Sequence, residues 1–81
     1  MHDGFYEIDL HGLSMSDAKM VLDEVFEYVF ENPEIKELSI IVGVGKGSET
    51  GPVLPSFVSN YLRDKGYDSV NTNGVLHVLL T

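Results

Sequence analysis

The segment FYEIDLHGLSMSDA, residues 5–18, decides how this chain begins to fold. In residues 5–10, Tyr6, Ile8 and Leu10 alternate with Phe5, Glu7 and Asp9, the period of two that marks a half-buried strand. Ser14 then fits a helix N-cap, with Asp17 three residues later as a short form of the capping box. Asp17 also suits the positive end of the helix dipole. From Ser14 to about Glu31, Ala18, Leu22, Val25 and Val29 recur at helical spacing, and Val21 and Phe26 widen the stripe. Asn32-Pro33 ends the helix, because proline disfavours helical geometry in the residue before it.

The same order recurs downstream. Leu38 to Val42, LSIIV, reads as a second strand, apolar enough to be covered or central. A glycine-rich loop, GVGKGSETG, fills residues 43–51. Pro52 and Pro55 lie near the start of a second helix, where a missing N–H costs least. Val58, Tyr61 and Leu62 form its apolar side, and Gly66 fits the residue that stops it. Tyr67 to Val70 predicts a short third strand, and Asn73-Gly74 a type I′ hairpin. Val75 to Leu80, VLHVLL, is the most apolar strand and belongs inside the sheet. Two crossover units and a hairpin make a two-layer α/β domain, a βαβαββ sandwich with both helices on one face of a four-stranded mixed sheet. Tyr6, Phe26 and Phe57 are expected in the core. Glu7, Asp9 and His77 are expected on the open face.

The chain has 81 residues, room for one domain (1–81) and one core. A chain of this size buries roughly 60–65% of its unfolded surface, a thin margin for folding alone. The lack of cysteine excludes a disulfide scaffold, a Cys-ligated zinc or iron–sulfur site and a thiol nucleophile. No apolar run approaches the roughly 20 residues that span a membrane. The acidic start MHDGFYE is unlike a signal peptide. These features predict a soluble, cytoplasmic domain.

Charge is unevenly placed. The formal net charge is −8, and residues 1–37 carry all of it, with ten acids against two bases. Residues 38–81 hold three of each. The simplest reading is a solvated helix face that keeps a small protein soluble. A sharper one is that any polyanion must approach the second half. The overall −8 weighs against tight nonspecific nucleic-acid binding, which depends on Lys and Arg neutralising phosphates.

Two constellations carry potential chemistry. Asp9 and His11, two apart, point to the same side of an extended strand end. A carboxylate beside an imidazole sets its tautomer, so the pair can act as base and positioner or hold a divalent cation through one oxygen and one nitrogen. Gly12 lets a backbone or ligand approach closely. The plainer reading is a strand-end histidine bonded to a nearby carbonyl. The second constellation is Gly43-Val44-Gly45-Lys46-Gly47-Ser48, between a strand and a helix. Its backbone N–H groups can converge on an anion, with Lys46 as a point charge and the helix N-terminus behind. The plainer reading there is a flexible turn. It is not a Walker A loop, because Gly47 follows Gly-Lys where Ser or Thr is required. Ser48 likewise takes the place of the third glycine of Gly-x-Gly-x-x-Gly. Both constellations follow parallel strands and so face each other at the carboxyl edge of the sheet, where α/β ligands usually bind. His77, mid-strand, reads as a surface or semi-buried imidazole, and His2 lies in a frayed terminus. No serine is flanked as a nucleophile elbow requires.

Ile8-Asp9-Leu10-His11-Gly12 resembles the Leu-Asp-x-His-Gly motif that opens the Smr (small MutS-related) domain. Leu13-Ser14-x-x-Asp17-Ala18 fits the same pattern. So do Ile40-Ile41-Val42-Gly43-Val44-Gly45, then Ser48, Gly51-Pro52-Val53-Leu54, Tyr61-Leu62 and the closing Gly-Val-Leu-x-Val-x-Leu strand. The resemblance runs from about Tyr6 to Leu80. It implies a fold like the C-terminal domain of a bacterial translation initiation factor, with strand order 1-2-4-3 and strand 4 antiparallel. It also implies nicking of DNA or cleavage of RNA, with Asp9 and His11 in the cleavage and the Val42–Gly45 backbone near phosphates. Val42 stands where Thr is common, and Val44 where Lys or Arg is often found.

The leading expectation is therefore an endonuclease. Asp9 orients His11 or shares Mg²⁺ with it, and Gly43, Gly45, Lys46, Gly47 and Ser48 hold the phosphate. The alternative is a non-catalytic module that binds nucleic acid, or a basic protein partner through Asp23, Glu24, Glu27 and Glu31 of the first helix. A small-anion binder using the glycine loop alone is a third reading.

Overall fold

In the computed structural model, residues 4–43 and 53–80 are described. The elements run β1 (Phe5–Asp9), α1 (Met15–Glu31), β2 (Glu37–Ile41), α2 (Val53–Asp64), β3 (Ser69–Thr72) and β4 (Val75–Leu79). The sheet order is β1-β2-β4-β3. β1 and β2 are parallel, β4 is antiparallel to β2, and β3 is antiparallel to β4. The α/β class, the strand order and the interior place of the VLHVLL strand agree with the sequence reading.

Strand alternation divides the sheet cleanly. Tyr6 pairs with Leu38 and Leu38 with Val78, while Ile8 pairs with Ile40 and Ile40 with Leu76. These side chains face the helices. Ala18, Leu22, Val25 and Val29 of α1 and Val58 and Leu62 of α2 join Leu38, Ile40, Leu76 and Val78 in one buried cluster. Tyr6, Phe26 and Phe57 pack against it half-buried. On the opposite face, Glu7, Ser39, His77 and Val70 form a single cross-strand row. Glu7, Asp9 and His77 are exposed there as expected, while Ser39 is buried between its neighbours and lies 3.3 Å from His77 Nδ1.

The helix termini follow local chemistry. The Ser14 hydroxyl accepts from the Asp17 N–H at 3.2 Å, satisfying a donor that has no partner within the helix. Asn32 caps the other end, its N–H donating to the Val29 carbonyl and its Nδ2 to the Tyr28 carbonyl. In α2, Pro55 is the third helical residue, where its absent N–H has no intrahelical partner to lose. The third strand begins two residues later than the sequence suggests, because Tyr67 belongs to the helix stop. Its N–H donates to the Leu62 carbonyl while the Gly66 N–H donates to that of Arg63, a Schellman arrangement. The Tyr67 ring stacks on Phe26 with centroids 5.6 Å apart, and the chain is free to pair only from Ser69.

A hydrogen-bonded side-chain link joins the helices. The Tyr61 hydroxyl donates to Asp23 Oδ1 at 2.6 Å, and Lys19 donates to Asp23 Oδ2 at 2.8 Å. The Lys19 hydrogen bond, then that of Tyr61, hold the Asp23 carboxyl below its ordinary value. Burial, reinforced by Asp23, raises the Tyr61 phenol well above its own. Asp23, placed from sequence on a docking face for a basic partner, is thus engaged within the fold. No helix among the described residues is long and apolar enough to cross a membrane.

Candidate functional site at the carboxyl edge of the sheet

β1 and β2 end side by side, and the chain leaving β1 is tied down at once. Leu10, fully buried, donates its N–H to the Ile41 carbonyl at 2.7 Å, and its own carbonyl accepts from the Leu13 N–H. Between these anchors the backbone turns outward. Gly12 takes a φ of 83°, and a Cβ there would meet nothing within 4 Å. Glycine serves the turn at this position, and no neighbouring group closes over it.

This turn presents His11. Asp9 Oδ1 accepts from the His11 N–H at 3.0 Å, an Asx-type closure across two residues, and lies 2.7 Å from the imidazole Nδ1. The imidazole hydrogen bond first, and the backbone N–H second, hold the Asp9 carboxyl below its ordinary value. An ionised carboxylate only accepts, so the Nδ1 position carries the proton and Nε2 is left for other chemistry. The two side chains stay accessible, 67% exposed for His11 and 53% for Asp9.

The β3–β4 hairpin completes the edge. Asn73 and Gly74 both take positive φ, 52° and 85°, as the Asn-Gly signal requires. The Gly74 carbonyl accepts from Val42 N–H at 2.8 Å and Gly43 N–H at 3.1 Å. A Cβ built on Gly43 would lie 3.5 Å from His11 Cβ. The hairpin, the end of β2 and the Asp9–His11 turn therefore form one contiguous surface, and the expected meeting of the first motif with the start of the glycine loop occurs at Gly43.

Two sequence expectations change in detail. Gly43 was expected to offer its backbone to a phosphate, but its N–H is already bonded to Gly74. Its φ of 78° is the left-handed backbone that favours glycine, and a Cβ there would make only an ordinary contact with His11. Val42 occupies a position where a hydroxyl was expected to be missed. Its side chain is only 3% exposed and belongs to the core, so this position does not reach the edge. Val44, Gly45, Lys46, Gly47 and Ser48 lie outside the described residues. The role of Gly74 in bracing this edge was missed from sequence, although Asn73-Gly74 signalled the hairpin.

The described residues contain no cluster of three or more His, Asp or Glu side chains able to hold a metal ion. Asp9 Oδ2 is one hard oxygen donor, and the proton between Nδ1 and Oδ1 bars His11 from sharing a cation through that nitrogen. Mg²⁺ commonly enters with one or two carboxylates and the phosphates of its substrate. Among the described residues, the edge thus offers a cation the Asp9 carboxylate alone.

Comparison with known proteins agrees with the fold. The model of the Smr domain matches residues 8–79. The structure resembles the crystal structure of the Smr domain of Thermus thermophilus MutS2, with a TM-score of 0.73 and 23% identity over 94% of this chain and 98% of that one. It also resembles the solution structure of the SMR domain of NEDD4-binding protein 2, at 0.73 and 27% over 100% and 91%. For the solution structure of the B3BP Smr domain, the values are 0.66 and 27% over 93% and 77%. No curated protein matches the sequence.

Proposed function

The chain belongs to the Smr domain family, and from that premise we propose that it is an endonuclease hydrolysing phosphodiester bonds of DNA or RNA at the Asp9–His11 edge. The observation that carries this reading is the 2.7 Å contact that fixes the imidazole through Nδ1 while two-thirds of the ring stays open. A histidine held this way has one task for each protonation state of Nε2. Neutral, it withdraws a proton from the attacking water or hydroxyl. Charged, it returns a proton to the leaving oxygen. The Asp9 carboxylate stabilises the imidazolium formed between these events and keeps the ring in one orientation, as the acid of a Ser-His-Asp triad does. Gly45, Lys46, Gly47 and Ser48 are assigned to the scissile phosphate, whose added negative charge calls for donors placed in advance.

The rival reading is a module that binds nucleic acid or a protein without cutting. The net charge of −8 favours its protein-binding form, because few cations are available to neutralise the phosphates of a nucleic acid. Val42 lends it less support than the sequence suggests, since that side chain points into the core.

The test is cleavage of supercoiled plasmid and of a structured RNA, with and without Mg²⁺, by wild type, Asp9→Ala and His11→Ala. His11 is exposed and outside the core, so His11→Ala is expected to stay folded and to lose cleavage. Equal cutting by wild type and a folded His11→Ala would refute the proposed role.

A further inference from the structure

A strand cut at His11 must continue across the protein, and we propose that it runs along the groove between α2 and β3. The inference rests on the endonuclease reading and adds a substrate track to it. The groove has a volume of about 370 Å³, with Ser56, Ser59, Asn60 and Arg63 on its helical wall, Asn71 opposite and Leu76 beneath. The four helical residues fall at i, i+3, i+4 and i+7, a single stripe along α2. From Ser56 to Arg63 the helix rises about 10 Å, enough for two or three nucleotides of a strand.

Three observations point to a nucleic-acid backbone. The first is chemical. The polar side chains here are hydroxyls, amides and one guanidinium, all able to donate to phosphate oxygens; the rest of the lining is Pro55 and Leu76, and none of it is acidic. Arg63 makes no ion pair among the described residues, so its charge is available. The second is continuity. Asn71 Oδ1 accepts from the Gly74 N–H at 3.1 Å, Gly74 bonds to Gly43, and Gly43 abuts His11. The hairpin therefore links the wall of the groove to the candidate edge. The third is contrast. The larger groove of about 770 Å³, on the other side of α2, carries Asp23, Glu27 and Asp64 with Phe26, Phe30 and Tyr67. Its Lys65 is held over the Phe26 and Tyr61 rings, 5.7 and 5.0 Å from their centroids. Three carboxylates there repel a polyanion.

Lys65 supplies the control. Arg63→Ala and Lys65→Ala remove the same charge two residues apart, but on different sides of the helix. Binding of fluorescein-labelled oligothymidylate and oligouridylate is measured by anisotropy between roughly 50 and 200 mM salt. Arg63→Ala is expected to weaken binding severalfold and to reduce the slope of log affinity against log salt by about 0.7, the value of one single-strand phosphate contact. Lys65→Ala is expected to leave both near wild type, and Arg63→Lys to restore the slope. In the plasmid assay, Arg63→Ala is expected to raise KM and spare kcat. Equal effects of Arg63→Ala and Lys65→Ala would overturn the track while leaving the His11 reading intact. Wild-type binding that depends on Arg63, without cleavage, would support the track and overturn the nuclease. If wild type binds neither oligonucleotide, both fall.

Discussion

Gly74→Ala is the sharpest test of how the candidate edge is built, and Gly12→Ala is its partner. Both glycines have nearly the same φ, 85° and 83°, so both substitutions incur the same left-handed cost of roughly 1–2 kcal/mol. Both also gain the same stiffening of the unfolded chain, about 0.4–1 kcal/mol. Their surroundings differ. A Cβ on Gly12 meets nothing, while one on Gly74 lies 2.8 Å from the Gly43 carbonyl carbon and 3.1 Å from its Cα and O. These are backbone atoms in a bonded turn, and no side-chain rotation relieves the contact. Forced overpacking of this kind costs about 1–3 kcal/mol. The difference between the two variants cancels the backbone and unfolded-state contributions and isolates the clash. At roughly 4–8 °C per kcal/mol for a domain of this size, Gly74→Ala should melt about 4–24 °C below Gly12→Ala. Thermal unfolding followed by far-ultraviolet circular dichroism reads this directly. Coincident melting curves for the two variants would refute the account of Gly74 as the brace beneath Gly43 and His11.

Acid should erase two local contributions to stability. Asp9 and Asp23 both have carboxyls held below an ordinary value of 3.8, so each contributes fully above that value and loses its contribution as pH falls through the folded-state value. Melting temperatures of wild type against Asp9→Asn and Asp23→Asn should differ at pH 7 and converge on acidification, and gaps that stay constant down to pH 3 would exclude this linkage. Ser14→Ala removes the cap of α1 and should cost about 1 kcal/mol, or roughly 4–8 °C. Ser16→Ala, one turn position inside and exposed, should change little, and equal effects of the two would remove Ser14 from the cap.

The parts of the fold that were legible in the sequence are those fixed by short-range chemistry. The alternation in FYEIDL, the stripe of Ala18, Leu22, Val25 and Val29, the Ser14 cap and the Asn73-Gly74 turn each carry their reason within a few residues. Tyr67 was misassigned to a strand because its aromatic character suits one, while a contact made far away in sequence, with Phe26, holds it at the helix stop. Asp23 looked like a free surface acid because its partner Tyr61 lies thirty-eight residues on. The Asp9–His11 pair was readable from spacing two, but the occupied N–H of Gly43 was not. That bond depends on where the hairpin tip lands after the whole sheet has formed.

The placement of charge changes how the net −8 bears on the proposed activity. At physiological salt, charges are screened over about 8 Å, less than the span of the domain, so no single field surrounds it. A strand approaching along the α1–α2 groove meets Asp23, Glu27 and Asp64, whereas along α2 and β3 it meets hydroxyls, amides and Arg63. Asp23 and Glu27 of the first half and Asp64 of the second then act as a wall with a direction. For the proposed substrate they would make one side repulsive and leave the α2–β3 side as the route of lowest repulsion. With one cation in the track, binding is weak and the grip on each phosphate small, which suits an enzyme that must release two charged ends after each cut. The same −8 that argues from sequence against nucleic acid thus argues, once placed in three dimensions, for the side from which the proposed substrate would arrive.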